Sequence, residues 1–324
     1  MRVLVTGASG SYGRAVATGL VARGDEVVTF QRRPAAIDGV SERLGDLADA
    51  TAVARAVDGC EGVIHLAARV GIVGSWTDFH APNVTGTDLL LAAARAAGVS
   101  RFVQVSSPSV AHAGEALIGV GATPADPDGT RGHYARSKAL AERHALAADA
   151  PGFAVIAIRP HLVWGPGDQQ LIGRIVARAR AGRLALIDDG AALIDTTYLD
   201  NAADATIAAL DRAEHGHGRA FVISNGEPRT VAEIVTRVCR AAGVAAPHRQ
   251  VPFRLAHAGG RIAESLWDRF APEAEPPMTG FLAEQLATAH WFDQRDTRDV
   301  LAWTPAIDLD EGFARLAASY AGAV

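Results

Sequence analysis

Arg2-Val-Leu-Val-Thr-Gly-Ala-Ser-Gly-Ser-Tyr-Gly13 is the stretch on which the reading of this chain turns. Arg2 to Thr6 is short, aliphatic and β-branched, as a strand buried on both faces of a parallel sheet must be. After Gly13 the pattern is helical to Arg23, with Val16, Leu20 and Val21 forming an apolar stripe. Between them lies Gly7-Ala-Ser9-Gly10-Ser11-Tyr12-Gly13. In a strand–turn–helix context, Gly7 allows the tight turn, Gly10 lets backbone approach a pyrophosphate, and Gly13 lets helix pack close to strand. The free N–H groups and dipole of the helix N-terminus then face the phosphates. The spacing is G-x-x-G-x-x-G rather than G-x-G-x-x-G, and no Lys-Ser/Thr follows, so this is not a P-loop.

Downstream, Glu26 to Phe30 reads as a second strand ending in Gln31-Arg32-Arg33-Pro34. An Asp or Glu here would hold the ribose 2′-hydroxyl of NAD. Two guanidinium groups instead suit a 2′-phosphate through charge-assisted hydrogen bonds, which predicts NADP(H). Asp46, in Gly45-Asp46-Leu47, is placed to reach the adenine amino group. Gly62 to Ala68 reads as a fourth parallel strand running into a small-residue loop that can pass under a flat cofactor, with His65 a satisfied core residue. Asn83 to Ala97 is an apolar-striped helix ended by Gly98.

Arg101 to Val105 is the next strand, and Ser106-Ser107-Pro108-Ser109 closes it. The carboxyl end of a central parallel strand is where open α/β sheets bind ligands. A Gly-, Pro- and Asp-rich loop, 119–132, then leads into a helix from Tyr134 to Ala148. Tyr134 and Lys138 lie one turn apart on one face of it. A neighbouring ammonium favours phenolate, so Lys138 is expected to pull the phenol of Tyr134 down from its usual pKa of ~10. One of the serines becomes a candidate to hydrogen-bond a substrate carbonyl.

Phe153 to Arg159 is another buried strand, followed by an irregular loop from Pro160 to Asp168. A helix from Leu171 to Ala181 carries Arg174, Arg178 and Arg180, mainly a solvated face with one guanidinium able to meet a carboxylate. Ile194 to Tyr198 and Ala220 to Ser224 are expected to return to the sheet, and Thr230 to Ala242 to be helical. From Val251 to Phe270 the chain is amphipathic, with Leu255, Ile262, Leu266, Trp267 and Phe270 near one face. It is expected to pack over the substrate cleft, and Arg254, Arg261 and Arg269 also suit a membrane surface.

The bulk composition fits this picture. With 324 residues, 49% apolar and 21% charged, the chain is an ordinary globular sequence long enough for a sizeable core. A net charge of −5 gives no electrostatic case for nucleic acid. Cys60 and Cys239 are far apart, without metal or disulfide spacing. The strand-like start at Arg2 leaves no room for a signal peptide, and a cytoplasmic protein is expected.

The motifs together resemble the extended short-chain dehydrogenase/reductase family. They are Thr6 to Gly13, Asp46-Leu47, His65 to Ala68, Ser106-Ser107, Tyr134-x-x-x-Lys138 and Arg159-Pro160, and they span essentially the whole chain. Within it, residues 159–168, 195–201, 277–287 and 290–293 are similar to the 3β-hydroxysteroid dehydrogenase-like branch, and to its bacterial 2-alkyl-3-oxoalkanoate reductases of long-chain olefin biosynthesis. The resemblance implies a doubly wound α/β Rossmann sheet with a smaller, mainly C-terminal substrate subdomain. Residues 1–160, completed by about 195–225, would form the core, and 161–194 with 226–324 the subdomain. It implies NADPH-dependent reduction of a β-keto acid, with Tyr134 as general acid, Lys138 lowering its pKa and binding the nicotinamide ribose, and Ser107 orienting the carbonyl. Ser106 or Ser109 takes that place if the register slips. Cofactor contacts are implied for Gly7, Ser9, Gly10, Ser11, Tyr12 and Gly13, for Arg32, Arg33, Asp46 and Leu47, and for Ala67, Tyr134, Lys138 and Pro160. Tyr12 departs from the usual Phe, Ile or Leu but can still pack beneath the pyrophosphate turn. The resemblance further implies a homodimer through helices 83–97 and 134–148, and partner enzymes of an olefin pathway. Its rivals are a sterol dehydrogenase, a sugar-nucleotide epimerase or dehydratase, and a non-catalytic redox-sensing module.

Overall fold

Seven parallel strands order the molecule. The computed structural model describes residues 1–322 except Ile72, Ala113 and 271–277; of Asp268 and Phe270 only the backbone is described. Pro277 and the side chain of Phe270, both invoked above, therefore lie outside the described residues. The first half runs β1 (Arg2–Thr6), α1 (Ser11–Arg23), β2 (Glu26–Gln31), β3 (Val40–Leu44), α2 (Ala50–Val57), β4 (Gly62–His65), α3 (Trp76–His80), α4 (Gly86–Ala96) and β5 (Arg101–Val105). Then come β6 (Leu117–Val120), α5 (Gly132–Ala147), β7 (Ala154–Pro160), β8 (Val163–Trp164), α6 (Ile172–Arg180), β9 (Leu186–Ile187), β10 (Leu193–Ile194) and β11 (Thr197–Tyr198). Next are α7 (Leu199–Asp211), α8 (Ala213–Gly216), β12 (Ala220–Ile223), β13 (Arg229–Thr230), α9 (Val231–Ala241) and β14 (Gln250–Val251). The chain ends with α10 (Phe253–Phe270), α11 (Gly280–Ala287), β15 (His290–Phe292), α12 (Arg295–Leu301) and α13 (Leu309–Ala321).

The main sheet has the order β12-β7-β5-β4-β1-β2-β3, parallel throughout. Successive side chains of a strand face opposite ways, so Val3 and Val5 join one core layer and Leu4 the other. The first layer packs Val16 and Leu20 of α1 against Ile207 and Leu210 of α7. The second buries Val53, Leu90, Phe102 and Phe153 beneath α2, α4 and α5. The order in which strands are added reverses between β1 and β4, which opens a crevice at their carboxyl ends.

Several boundaries differ from the sequence reading. Asn83 lies in a π-helical turn, Ala81–Thr85, rather than at the start of a regular helix. Ile194 to Tyr198 does not join the main sheet. β10 instead enters a four-stranded sheet, β13-β10-β15-β6, and β11 pairs with β8. The loop 119–132 is partly a strand, since Leu117–Val120 pairs with His290–Phe292. Near the C-terminus, Leu301 and Trp303 join the core of the dinucleotide half, so residues 226–324 are not all substrate subdomain. Among the described residues no helix is long and apolar enough to cross a membrane.

Candidate active site

The glycine loop is shaped by three separate constraints. Gly7 has φ +79°, and a Cβ on it would sit 2.8 Å from the Ala67 backbone nitrogen. A Cβ on Gly13 would run into the Gly7 carbonyl oxygen. Gly10 is open, its nearest neighbour the Gly7 oxygen at 3.6 Å, and as N-cap of α1 it carries no side-chain cap. The first-turn N–H groups of α1 therefore face the crevice without an internal acceptor from a capping side chain, and no acidic residue occupies that turn. Tyr12 shares a 2.6 Å hydrogen bond with Thr206 and donates to the Ala202 carbonyl, fastening the loop to α7; burial pushes its phenol pKa up.

A neutral histidine braces the loop from below. Thr6 Oγ1 accepts from the Ala67 N–H (3.1 Å), so its own proton goes to His65 Nδ1 (2.7 Å). Thr87 donates to the Asn83 carbonyl (2.6 Å), which leaves its oxygen to accept from His65 Nε2 (3.0 Å). Both ring nitrogens are satisfied by the neutral Nε2-protonated tautomer. Burial, and then Lys138, hold the His65 pKa down at about 3. His65 is thus a structural residue at the foot of the site.

Lys138 and Tyr134 hang from α5 over the end of β5. Lys138 Nζ donates to the Val105 carbonyl at 2.6 Å, and Tyr134 is hydrogen-bonded to Ser107. Among the three serines, Ser107 is the one set against Tyr134. Ser109 Oγ donates to Ser107 Oγ (3.0 Å), and Ser106 Oγ is buried with no partner. The expected depression of the Tyr134 pKa is absent. Burial pushes it up to about 12, with the Ser107 bond the opposing effect. Burial also lowers Lys138 to about 8, against the pull of Glu142.

Two supports had no strong signal in the sequence. Asn83 accepts the Arg69 N–H (2.7 Å), donates to the Arg69 carbonyl (3.0 Å) and to Ser137 Oγ (2.9 Å), tying the loop after β4 to α5. Glu142, one turn beyond Lys138, forms a two-pronged pair with Arg159, Nε to Oε2 at 2.9 Å and Nη2 to Oε1 at 2.5 Å. A donor–acceptor Asn before a helix and an acid at i+4 from a lysine are both commonplace, so neither stands out from sequence alone.

The glycine loop, Ser106, Ser107, Tyr134 and Lys138 border one cleft of about 1850 Å³. At one end lie Ser9, Gly10, Ser11 and Tyr12, with Arg32, Arg33, Asp46 and Leu47 beyond them. Arg32 and Arg33 are exposed and have no hydrogen bond or ion pair among the described residues. The end of β2 offers no carboxylate, since Gln31 is buried with its amide nitrogen on Thr29. Ala67, Ser106, Ser107, Tyr134, Lys138 and Pro160 line the middle. The far end is walled by Leu171, Ile175, Val235, Leu255, Leu282 and Leu286. Arg174 and Arg178 border this end, whereas Arg180 is exposed elsewhere, so α6 presents two of its arginines to the cleft where the sequence reading allowed one. On α10, Ala256, Gly259 and Gly260 face the cleft with Leu255, but Ile262 and Leu266 point outward.

Residues 3–224 match the model of the NAD dependent epimerase/dehydratase family. The 2-alkyl-3-oxoalkanoate reductase of Stenotrophomonas maltophilia is 43% identical, over 99% of this chain and 100% of that protein. The 3 beta-hydroxysteroid dehydrogenase/Delta 5-->4-isomerase of Mycobacterium tuberculosis is 32% identical, over 94% of this chain and 86% of that protein. Among solved structures, MoeE5 in complex with UDP-glucuronic acid and NAD superposes with a TM-score of 0.75 at 27% identity, each chain covered in full.

Proposed function

Because this chain belongs to the NAD dependent epimerase/dehydratase family, the extended short-chain dehydrogenase/reductases, we propose that it is an NADPH-dependent reductase of 2-alkyl-3-oxoalkanoates. The observation that carries the reading is the union in one cleft of Ser107, Tyr134 and Lys138 with a long apolar wall from α6, α9, α10 and α11. A two-tailed β-keto acid needs such a wall for its chains, and Arg174 and Arg178 at the same end suit its carboxylate.

The bound cofactor supplies hydride to the ketone carbon. The protein's part is to hold the ketone oxygen between Ser107 and Tyr134, two hydroxyls set against each other in the cleft. Tyr134 delivers the proton. A phenol kept protonated by burial is in the correct state for that step, and Lys138, one turn along α5, is the cation assigned to the phenolate left behind. The ordinary pKa of lysine is 10.5, and in the fold it is about 8, so the unfolded chain binds more protons between those values. Lys138 thus disfavours folding by a constant amount below pH ~8, and the penalty is relieved as pH rises from ~8 towards ~10.5. Activity runs the other way, because the folded protein loses the ammonium around pH ~8. In the pH profile of kcat/KM for reduction, a fall is expected above about pH 8. A Lys138→Met profile that kept this alkaline fall would assign it to another group.

The 2′-phosphate is assigned to Arg32 and Arg33. Replacing both by Ala is expected to raise KM for NADPH roughly ten- to a hundredfold and leave NADH nearly unchanged, since each charge-assisted bond contributes about 1.5–3 kcal/mol before solvent screening. Equal effects on both cofactors would remove the assignment. The deciding assay follows NADPH absorbance with a long-chain 2-alkyl-3-ketoacid beside a 3-ketosteroid. Oxidation with the ketoacid supports the proposal, and turnover of the steroid alone replaces it with a sterol dehydrogenase.

A further inference from the structure

We propose that the exposed face of α10 docks this protein on an anionic lipid bilayer. Leu255, Ile262 and Leu266 are 66%, 62% and 46% exposed. Their spacings of seven and four place them on one stripe of the helix. Ala258 and Gly259, also exposed, continue that stripe between Leu255 and Ile262. Arg254 and Arg261 stand beside it, exposed and with no side-chain hydrogen bond or ion pair among the described residues. Glu264 lies on the other side of the helix, where it accepts the Gly280 N–H at 3.1 Å. The outward face, among its described side chains, is therefore apolar and cationic with no acid.

That pairing is the signature of a helix lying in a lipid interface, its aliphatic side chains in the acyl boundary and its guanidinium groups at anionic headgroups. The chain as a whole carries −5, so general adsorption to an anionic surface is opposed and contact is confined to this face. A protein-binding hot spot centres on buried aromatic anchors. This ridge offers none, since its large exposed side chains are aliphatic.

The ridge is continuous with the cleft. Leu255 and Gly259 are both exposed and part of the cleft wall, so a bilayer against α10 would meet the apolar end of the cleft directly. Docking itself does not depend on the reductase reading. Entry of a long-chain keto acid by this route rests on it.

The test is flotation of the full-length protein with vesicles of phosphatidylcholine alone or mixed with phosphatidylglycerol. The protein is expected to float with the mixed vesicles and less so as salt rises. The Ile262→Glu/Leu266→Glu variant is expected to lose at least about tenfold in partitioning, and Arg254→Glu/Arg261→Glu to lose the preference for phosphatidylglycerol. None of these four residues lines the cleft, so both variants should keep the wild-type melting temperature and NADPH oxidation with a short soluble ketoacid. Wild-type protein that stays with the buffer, or Ile262→Glu/Leu266→Glu protein that floats like wild type, overturns the proposal. So does a loss of dimer in sedimentation velocity with no vesicle binding, which would make the ridge a contact between copies. Vesicle binding without ketoacid turnover would leave docking standing and remove the substrate reading.

Discussion

Tyr134→Phe is expected to lower kcat for ketone reduction by about 10²–10⁴-fold while NADPH affinity changes little. The substitution removes one oxygen and leaves the ring. That oxygen is set against Ser107 in the cleft and is the group to which the proton transfer is assigned. The loss should fall on kcat and kcat/KM alike, because the proton moves only in the transition state. The ring of Tyr134 stays in the cleft wall, so cofactor titration by fluorescence should give a near wild-type Kd. Ser107 keeps its bond from Ser109 Oγ and is not left without a partner. A variant with wild-type kcat would transfer the acid role elsewhere; one that lost NADPH binding instead would make Tyr134 a cofactor ligand only.

The second large effect concerns stability. Arg159 and Glu142 are 2% and 1% exposed, and Arg159 Nη1 also donates to the Thr123 carbonyl at 2.7 Å. Arg159→Met would leave the carboxylate of Glu142 buried without its partner, a loss of about 3–5 kcal/mol. Set against a typical total of about 5–15 kcal/mol, that is a large fraction. Urea melts should therefore show a much lower midpoint with a similar slope. The double variant Glu142→Leu/Arg159→Met should recover much of the loss, because it removes both charges and fills similar volume. No recovery in the double variant would mean that the Thr123 contact, or packing, dominates.

The sequence carried those parts of the site that depend on neighbours in the chain. Gly7, Gly10 and Gly13 could be read because a strand precedes them and a helix follows, although the backbone that crowds Gly7 comes from Ala67, far along the chain. Tyr134 and Lys138 could be read because i and i+4 share a helix face wherever the helix goes. The parallel sheet followed from the aliphatic runs at β1, β4, β5 and β7. Hidden were the pairings of β6, β10, β13 and β15, two to four residues each, too short to show a period of two. Hidden too was the electrostatic balance at Tyr134. A one-turn spacing predicts a downward pull, but burial, a property of the whole fold, outweighs it. For α10 the amphipathic pattern was visible, yet periodicity does not say which apolar residues find a protein surface and which are left facing outward.

The four-stranded sheet has a consequence for synthesis on the ribosome. β1 to β5 and β7 have all emerged once the chain reaches Pro160, so six of the seven main strands can pair early. β6, by contrast, waits for His290–Phe292, the segment it pairs with, which follows only after all seven main strands have been made. During that interval its backbone is an open template beside Ile118, which stays 60% exposed even in the finished fold. A nascent chain can thus hold a nearly complete dinucleotide half while its substrate half is still an unpaired edge, the stage at which a holding chaperone, or a cofactor bound early, would have most to protect.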